Sequence, residues 1–247
     1  MIIRFASETE NGGREVNEDR VRITGEDSHV IAALADGLGG HGMGDIASET
    51  AVENAISIMK NGGSLEEAFD AAQEAVLVKQ KALHAGNAMK TTLCLLRIRE
   101  GICEAGHIGD SRIYFFVDKK LVFRTMDHSV PQMLVRAGEI SEDQIRFHED
   151  RNKVLRVIGT EWEEPEYEME KPFELKKKGL FRKKRYEFLM CSDGWWELIC
   201  EDRMQETLKA SQNPAEWLLK MKQEIRNAGN TEEMDNYTAA AVFVEFE

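Results

Sequence analysis

The sequence predicts an α+β fold, because its strand-like and helix-like segments are grouped along the chain rather than strictly alternating. Hydrophobic residues make up 42% of the chain and charged residues 31%, a balance that is typical of a globular protein. No internal repeat, low-complexity linker or Pro/Gly/Ser-rich boundary divides the 247 residues. We therefore expect a single domain over residues 1–247, which is long enough to bury a core.

The first predicted elements lie on either side of a glycine-rich stretch. The run "VRITGEDSHVIAALAD" predicts two strands around a turn, and the second strand is buried and ends at Asp36. After the glycines, apolar residues at helical spacing predict a helix that ends at Gly62-Gly63. Ser64 and Glu67 form a capping-box pattern, which begins a second amphipathic helix.

Strands resume in the middle of the chain. The runs "TTLCLLRI", "GICEAGHIG", "SRIYFFV" and "LVFRT" predict four strands in an antiparallel meander. A smaller helical section is expected over residues 130–158. The run "YEFLMCSD" predicts a buried strand, which is followed by two helices, one over residues 202–210 and one that begins at Asn213-Pro214. The last predicted strand is "YTAAAVFVEF".

Composition excludes some classes of protein. The formal net charge of −13 argues against general affinity for nucleic acid, whose phosphates would be repelled. The amino-terminal run "MIIRFASETENGG" contains no long apolar stretch, so we expect neither a signal peptide nor a membrane anchor. The four cysteines form no CxxC pair, and three of them lie in apolar runs: the four are Cys94, Cys103, Cys191 and Cys200. Buried thiols in a reducing cytoplasm are the expectation.

Five aspartates recur beside predicted strands: Asp19, Asp36, Asp110, Asp193 and Asp235. Carboxylates gathered at the ends of a sheet would repel one another unless a cation balanced their charge. Ligation by oxygen alone suits Mg²⁺ or Mn²⁺ rather than zinc. Each Asp-Gly pair taken singly is also a common turn, so these residues alone suggest a metal site without placing it.

The stretch "ADGLGGHGMGDIAS" allows three interpretations: a phosphate cradle, a loop that lets the backbone approach a metal, or a plain turn. It lacks the GK[ST] ending of a P-loop, and its glycines do not follow the GxGxxG spacing of a dinucleotide-binding fold. Taken by itself, the stretch predicts a turn.

In order and spacing, nine segments resemble the metal-dependent protein serine/threonine phosphatases, the PPM or protein phosphatase 2C-like family, and within it the compact bacterial branch. The segments are "GGREVNEDR", "ADGLGGHGMGDIAS", "TTL", "GHIGDSRIYFF", "MDHSV", "RAGEIS", "RNKVLRVIG", "CSDGWWEL" and "DNYT". The resemblance covers nearly the whole chain. It implies a central antiparallel β-sandwich flanked by helix pairs in four layers, αββα, with metals at one end and a small helical flap over about residues 129–160.

The roles of the family's metal ligands transfer to matching residues. Asp36, with the carbonyl of Gly37, would bridge two Mn²⁺ or Mg²⁺ ions. The other carboxylates would complete the shells: Asp193 and Asp235 for the first ion, Glu18 and Asp19 for the second, and Asp110 for a weaker third ion found in bacterial members.

Arg14 matches the family's arginine that binds the substrate phosphate, since its planar fork can contact two phosphoryl oxygens. The eukaryotic branch carries a histidine directly after the Asp-Gly pair, which is proposed to protonate the leaving group. This chain has Leu38 there. His41 is a candidate substitute, and a metal-bound water is the alternative.

The resemblance implies hydrolysis of phosphoserine and phosphothreonine by a hydroxide that bridges two metal ions, so that no cysteine or serine nucleophile is needed. It also implies phosphoprotein substrates, a signalling role that opposes a serine/threonine protein kinase, and a cytoplasmic monomer. An inactive pseudophosphatase that binds phosphoproteins is the alternative. A metallohydrolase for other phosphoesters is a third hypothesis.

Four further features need an interpretation. The basic run "KKKGLFRKKR", residues 176–185, predicts a solvated loop or a docking patch for acidic partners. Trp195 and Trp196 are expected in the core. Cys191 is expected to be an inert buried thiol. For His128, a structural hydrogen-bonding role is favoured over metal ligation.

Overall fold

Two antiparallel β-sheets pack face to face in a computed structural model that describes residues 1–26, 28–38, 42–86, 88–176, 184–229 and 233–246. The strand order of the first sheet is β1 (Ile2–Glu10), β11 (Tyr237–Glu245), β10 (Arg185–Cys191), β6 (Arg112–Val117) and β7 (Lys120–Arg124). That of the second sheet is β2 (Asp19–Glu26), β3 (His29–Asp36), β4 (Leu93–Arg99), β5 (Ile102–Ile108) and β8 (Glu168–Met169), and β9 (Phe173–Glu174) also pairs with β5.

The strand β3 shows how the core is divided. Alternate side chains from Val30 to Leu34 lie in the apolar layer between the two sheets. The side chains between them, Ile31 and Ala33, pack on the outer face beneath helices. Because both faces of the second sheet are covered, this strand is apolar throughout and does not alternate with polar residues. The prediction of a buried strand ending at Asp36 is confirmed.

One pair of helices covers each sheet. The helices α1 (Gly44–Lys60) and α2 (Leu65–Ala82) lie on the second sheet, and α5 (Glu201–Lys209) and α6 (Pro214–Ala228) lie on the first. The predicted capping box is present, since Ser64 Oγ accepts from Glu67 N at 3.1 Å and the Glu67 carboxylate accepts from Ser64 N at 2.7 Å. The layers therefore form the expected αββα arrangement.

The segment over residues 129–160, which we call the flap segment, is the smaller helical section expected from the sequence. It contains α3 (Val130–Ala137) and a 3₁₀ helix (Glu142–Phe147), followed by turns. The end of the flap segment lies beside its start, where the N–H of Leu155 donates to the carbonyl of His128 at 2.7 Å.

Within the ranges that the structure describes, no helix has the length and apolar character that crossing a bilayer requires.

The four central strands do not form one meander, and that prediction is wrong. β4 pairs with β5 in the second sheet, whereas β6 pairs with β7 in the first. The chain passes from one sheet to the other at residues 109–111. A hairpin has the same apolar pattern in either sheet, so the sequence carries no sign of the crossing. The crossing leaves Asp110 at one end of the sandwich.

The strand β1 was not predicted. It lies at the edge of the first sheet, where Ile2 and Phe5 remain 41% and 38% exposed. An edge strand that is covered on one side needs no continuous apolar run, so the hydrophobic pattern is weak.

Candidate metal centre

Acidic residues from five places in the sequence meet at one end of the sandwich. Asp19 is the first residue of β2 and Asp36 the last of β3, and the two are paired in register. Asp193 follows β10 and begins the short helix α4 (Asp193–Trp196), while Asp235 lies just before β11. Since β10 and β11 are antiparallel, the end of one lies beside the start of the other. Asp110 comes from the crossing between the sheets.

Mutual repulsion marks this group of carboxylates. Burial, and then the charges of Asp19, Asp193 and Asp110, raise the pKa of Asp36 well above its usual range. Burial and the charge of Asp193 likewise raise the pKa of Asp110. The pKa of Asp193 is raised by burial and by Asp235. Without a cation, burial and mutual repulsion therefore make the charged form of these three carboxyl groups more costly.

Asp19 provides a direct test of whether a metal fits. It is 2% exposed, and its Oδ2 accepts from Ser192 Oγ at 2.7 Å. Its Oδ1 is buried and has no hydrogen-bond donor in the part of the chain that the structure describes. Burial, and then the charges of Asp193 and Asp235, raise the pKa of Asp19 to about 7. A buried carboxylate oxygen without a donor is costly unless a cation is its partner.

The donor set fits a hard divalent cation. Every acidic group in the cluster offers oxygen, the ligand preferred by Mg²⁺ and Mn²⁺. The residues that would hold the ions are Glu18, Asp19, Asp36, Gly37 through its carbonyl, Asp110, Asp193 and Asp235.

Two threonines fix the backbone of Asp36. Its N–H donates to Thr92 Oγ1 at 2.9 Å, and its carbonyl accepts from Thr91 Oγ1 at 2.8 Å. Both threonines are fully buried. The carboxylate of Asp36 is thus presented from a backbone that has little freedom to move.

Glycine is required where the chain leaves β3. Gly37 N–H donates to the carbonyl of Glu18 at 3.1 Å, and a Cβ on Gly37 would lie 2.8 Å from that oxygen and overlap the carbonyl of Gly44. A Cβ on Gly44 would lie 2.7 Å from Glu18 Oε1. The pKa of Glu18 is raised by burial, which a hydrogen bond from the backbone of Gly44 partly offsets. Close approach of three backbone segments explains these two glycines of the loop.

Arg14 lies at the rim of the cluster. Its Nη2 is 2.9 Å from Asp235 Oδ2, and the two side chains are 60% and 47% exposed. The structure thus brings the predicted phosphate-binding arginine beside a predicted metal ligand.

Asn236 was missed by sequence reasoning, although it joins three parts of the site. Its Oδ1 accepts from Glu18 N at 2.8 Å, and its Nδ2 donates to the carbonyls of Asn11 and Val16 at 2.9 and 3.1 Å. An asparagine directly after an aspartate and before a strand was the available signal, but its partners lie more than 200 residues away in the sequence.

A second missed contact links the flap segment to the site. Arg151 Nε lies 3.2 Å from Glu197 Oε1. Burial, and then the nearby charge of Asp193, raise the pKa of Glu197 to about 7. The ion pair therefore ties the flap segment to the helical turn that carries Asp193.

Two predictions fall outside the described residues. His41, the candidate acid, belongs to residues 39–41, and most of the basic run 176–185 lies in residues 177–183. Leu38 is described, and its N–H donates to the carbonyl of Lys90 at 2.9 Å.

The predictions for the two tryptophans and for Cys191 agree with the structure. Trp195 and Trp196 are buried in the core against the first sheet. Cys191 is fully buried, and burial raises the pKa of its thiol, as expected for an inert cysteine. Of the other cysteines, Cys94 and Cys103 are buried as expected, whereas Cys200 is exposed, so the expectation of a buried thiol is wrong there.

Known proteins share both the sequence pattern and this architecture. A family model described as protein phosphatase 2C matches residues 12–236. The chain is 30% identical over 215 residues to serine/threonine phosphatase stp of Listeria monocytogenes, a match that covers 82% of this chain and 81% of that protein.

Solved structures agree over the whole chain. The crystal structure of the Mycobacterium tuberculosis serine/threonine phosphatase PstP/Ppp superposes with a TM-score of 0.82 at 26% identity, covering 100% of both chains. The catalytic domain of the phosphatase PstP in complex with two manganese ions gives a TM-score of 0.78 at 25% identity, covering 100% of this chain and 99% of that one. The chain therefore belongs to the protein phosphatase 2C family of protein serine/threonine phosphatases, and within it to the bacterial type.

Proposed function

We propose that this chain removes phosphate from phosphoserine and phosphothreonine in proteins, with Mn²⁺ or Mg²⁺ held by the cluster of aspartates. Family membership supports the reaction, and the structure with two manganese ions supports a divalent metal. The observation that carries the proposal is the buried Oδ1 of Asp19, which lacks a donor among the described residues and lies in a group of mutually repelling carboxylates.

The metals supply the nucleophile. When bound, two divalent ions lower the pKa of a shared water, so that hydroxide is available near neutral pH, and they neutralise phosphoryl oxygens. Asp36, with the carbonyl of Gly37, would hold both ions. The other carboxylates would supply further ligands: Asp193 and Asp235 for the first ion, Glu18 and Asp19 for the second, and Asp110 for a weaker third ion.

Arg14 is proposed to bind the substrate phosphate. Its guanidinium is exposed beside Asp235, where it can donate two parallel N–H bonds to a dianionic phosphate. Lysine would offer charge but not this planar fork. For protonation of the leaving alkoxide, His41 and a water molecule remain the two candidates, as the sequence leaves them.

The biological setting is proposed from the family and from composition. Substrates would be phosphoproteins, among them a serine/threonine kinase whose action the enzyme opposes in signalling. A net charge of −13 disfavours nucleic acid as a partner. We propose one domain over residues 1–247, with the flap segment beside the active site, acting as a cytoplasmic monomer.

The test is metal-dependent release of phosphate from a phosphothreonine peptide. The full chain is assayed with Mn²⁺, with Mg²⁺ and with excess chelator, beside Asp36→Asn and the matched control Asp202→Asn, which changes an exposed aspartate on α5. We expect the wild type and Asp202→Asn to release phosphate, and excess chelator to abolish this activity in both. Asp36→Asn should release none.

Each outcome bears on a different part of the proposal. A wild type that binds Mn²⁺ without turnover would overturn the enzyme and support an inactive phosphoprotein-binding module. Full activity of Asp36→Asn would overturn the assignment of the site while leaving the activity standing. Turnover that survives chelation would overturn the metal requirement.

A further inference from the structure

A single histidine holds the turn that carries Asp110. The N–H of Gly109 donates to Nδ1 of His128 at 3.2 Å, and the N–H of His128 donates back to the carbonyl of Gly109 at 2.9 Å. Gly109 has φ of +103°, and a Cβ there would lie 2.5 Å from Thr92 Cγ2. The two reciprocal bonds therefore fix the residue before Asp110 in a conformation that favours glycine.

The residue next to His128 holds the other side of the same turn. Asp127 accepts two bonds from Arg112, at 2.8 Å from Nε and 2.7 Å from Nη2. The Arg112 guanidinium lies 3.4 Å from the centre of the Trp196 ring, and Trp196 Nε1 donates to the carbonyl of Asp110 at 3.0 Å. Two consecutive residues, Asp127 and His128, thus hold both flanks of Asp110.

The hydrogen bonds define the state of the His128 ring. An N–H aimed at Nδ1 requires a lone pair there, so the proton of the neutral ring is on Nε2, which donates to Glu168 Oε2 at 3.3 Å. Burial, and then the neighbouring His107, lower the pKa of His128 to about 4. The ring is therefore neutral near pH 7 and accepts from Gly109, while Glu168 fixes its orientation.

A metal held by the same side chains fits less well. Ligand atoms of His107, His128 and Glu168 lie within 4.8 Å of one another. An ion bound to both imidazoles would lie in the plane of each ring. The two rings are instead stacked, with centroids 4.7 Å apart and planes 17° from parallel. Moreover, His107 Nε2 is already 2.8 Å from the carbonyl of Met126.

We propose that His128 is a positioning residue, which holds the Gly109–Asp110 turn so that the Asp110 carboxylate faces Asp193 and Asp36, and thereby sets the affinity of the weakest-bound divalent ion. The proposal rests on the proposed function, in which Asp110 binds that ion. His128 itself touches neither metal nor substrate. Its carbonyl also accepts from Leu155 N at 2.7 Å, so the same residue connects the turn to the flap segment.

The test measures Mn²⁺ binding to the full chain by calorimetric titration, which needs no turnover. Replacing a partner that orients a metal ligand typically weakens affinity by about 10–100-fold. We expect His128→Leu to weaken the weakest Mn²⁺ site at least about tenfold and to leave tighter sites unchanged. His128→Asn restores an acceptor for Gly109 N–H and should recover most of the affinity, and His84→Asn, an exposed histidine, is the matched control.

Two further variants keep the proposal testable if His128→Leu does not fold. The side chain of Glu168 is 46% exposed, so Glu168→Leu should fold. We expect it to weaken Mn²⁺ binding at the same site, whereas Glu168→Gln, which keeps an acceptor for His128, should retain that binding. In an Asp110→Asn background, Glu168→Leu should not weaken binding further, because its effect passes through Asp110.

Some results would overturn the proposal. Folded His128→Leu and Glu168→Leu with wild-type affinity at every Mn²⁺ site would do so, as would an additive loss in the Asp110→Asn background. A wild type without phosphatase activity but with normal Mn²⁺ titration and the expected losses would reject the proposed function and leave the positioning role standing.

Discussion

Asp19 and Asp36 stand directly opposite each other in the antiparallel pairing of β2 with β3. The β2–β3 hairpin therefore holds the two carboxylates side by side. They cannot move apart unless the backbone hydrogen bonds between the two strands break. Asp19 is buried and its pKa is raised to about 7 by burial first and by neighbouring carboxylates second. The folded protein thus stores a repulsion that a cation relieves.

The burial of Asp19, together with repulsion from neighbouring carboxylates, predicts an unusual dependence of stability on pH for the metal-free protein. An ordinary aspartate has a pKa of about 3.9, so between about pH 4 and pH 7 folded Asp19 binds more protons than the unfolded chain does. Its contribution to the free energy of unfolding is therefore present at low pH and is lost as pH rises through 7.

The measurement compares thermal unfolding of the chelated wild type and Asp19→Asn at pH 5 and pH 8. We expect the variant to be more stable at pH 8 by roughly 1–4 kcal/mol and to lose most of this advantage at pH 5, since one pKa unit is worth about 1.4 kcal/mol. Burial lowers the pKa values of His107 and His128, which act in the opposite direction, so the difference between the proteins isolates Asp19. An advantage that is equal at both pH values would contradict the prediction.

Gly37→Ala should destroy metal binding. The added methyl would overlap the carbonyl of Gly44 and press on that of Glu18, at a cost of about 1–3 kcal/mol in stability. Gly62→Ala is the matched control, because its Cβ meets no described atom within 4 Å and costs about 1–2 kcal/mol through its positive φ alone. Calorimetric titration should show Mn²⁺ binding in Gly62→Ala only, and binding of equal affinity in both would refute the close approach as its basis.

Arg14→Lys should impair substrate binding and leave metal binding intact. Replacing the bidentate fork by a single ammonium should lower kcat/KM for a phosphothreonine peptide about tenfold or more, mainly through a higher KM. Arg22→Lys, at an exposed arginine 2.8 Å from Glu53, is the control and should change neither constant. Steady-state kinetics at saturating Mn²⁺ checks this, and an equal loss in the control would contradict a specific role of Arg14 in binding phosphate.

Asp127→Ala should destabilise the protein strongly. It leaves the Arg112 guanidinium buried without its bidentate carboxylate partner, with Glu201 at 3.7 Å remaining, and removing one member of a buried ion pair costs about 3–5 kcal/mol. Glu53→Ala, which breaks an exposed pair with Arg22, should cost less than about 1 kcal/mol. Urea unfolding of the two variants makes the comparison, and equal losses would show that burial does not govern the strength of the Arg112 pair.

The sequence carried enough information for the elements that bury a continuous face. Local patterns predicted three such features correctly: the apolar run of β3, the capping box of α2 and the start of α6. Each of them depends on residues that are close together in the chain. The recurrence of aspartates beside strands also suggested a metal site, although it did not place that site in the fold.

Other features depend on contacts between distant parts of the chain. The crossing at residues 109–111 places β4–β5 and β6–β7 in different sheets, and no local pattern distinguishes this from a meander. Asn236 orders residues near the amino-terminal end, and Arg151 reaches Glu197 across the flap segment. Such residues appear as ordinary polar positions until the fold brings their partners to them.

The position of β11 in its sheet bears on when the site can exist during synthesis. β11 lies between β1 and β10 and is the last of the described strands to be synthesised. Until it leaves the ribosome, neither β1 nor β10 can form its hydrogen bonds to it. Asp235 and Asn236 arrive with it. A nascent chain that has emerged only as far as β10 therefore has an unpaired edge on each side of the gap and no complete set of ligands. Catalytic competence should appear in one late step, and contacts of such long sequence separation should make that step slow.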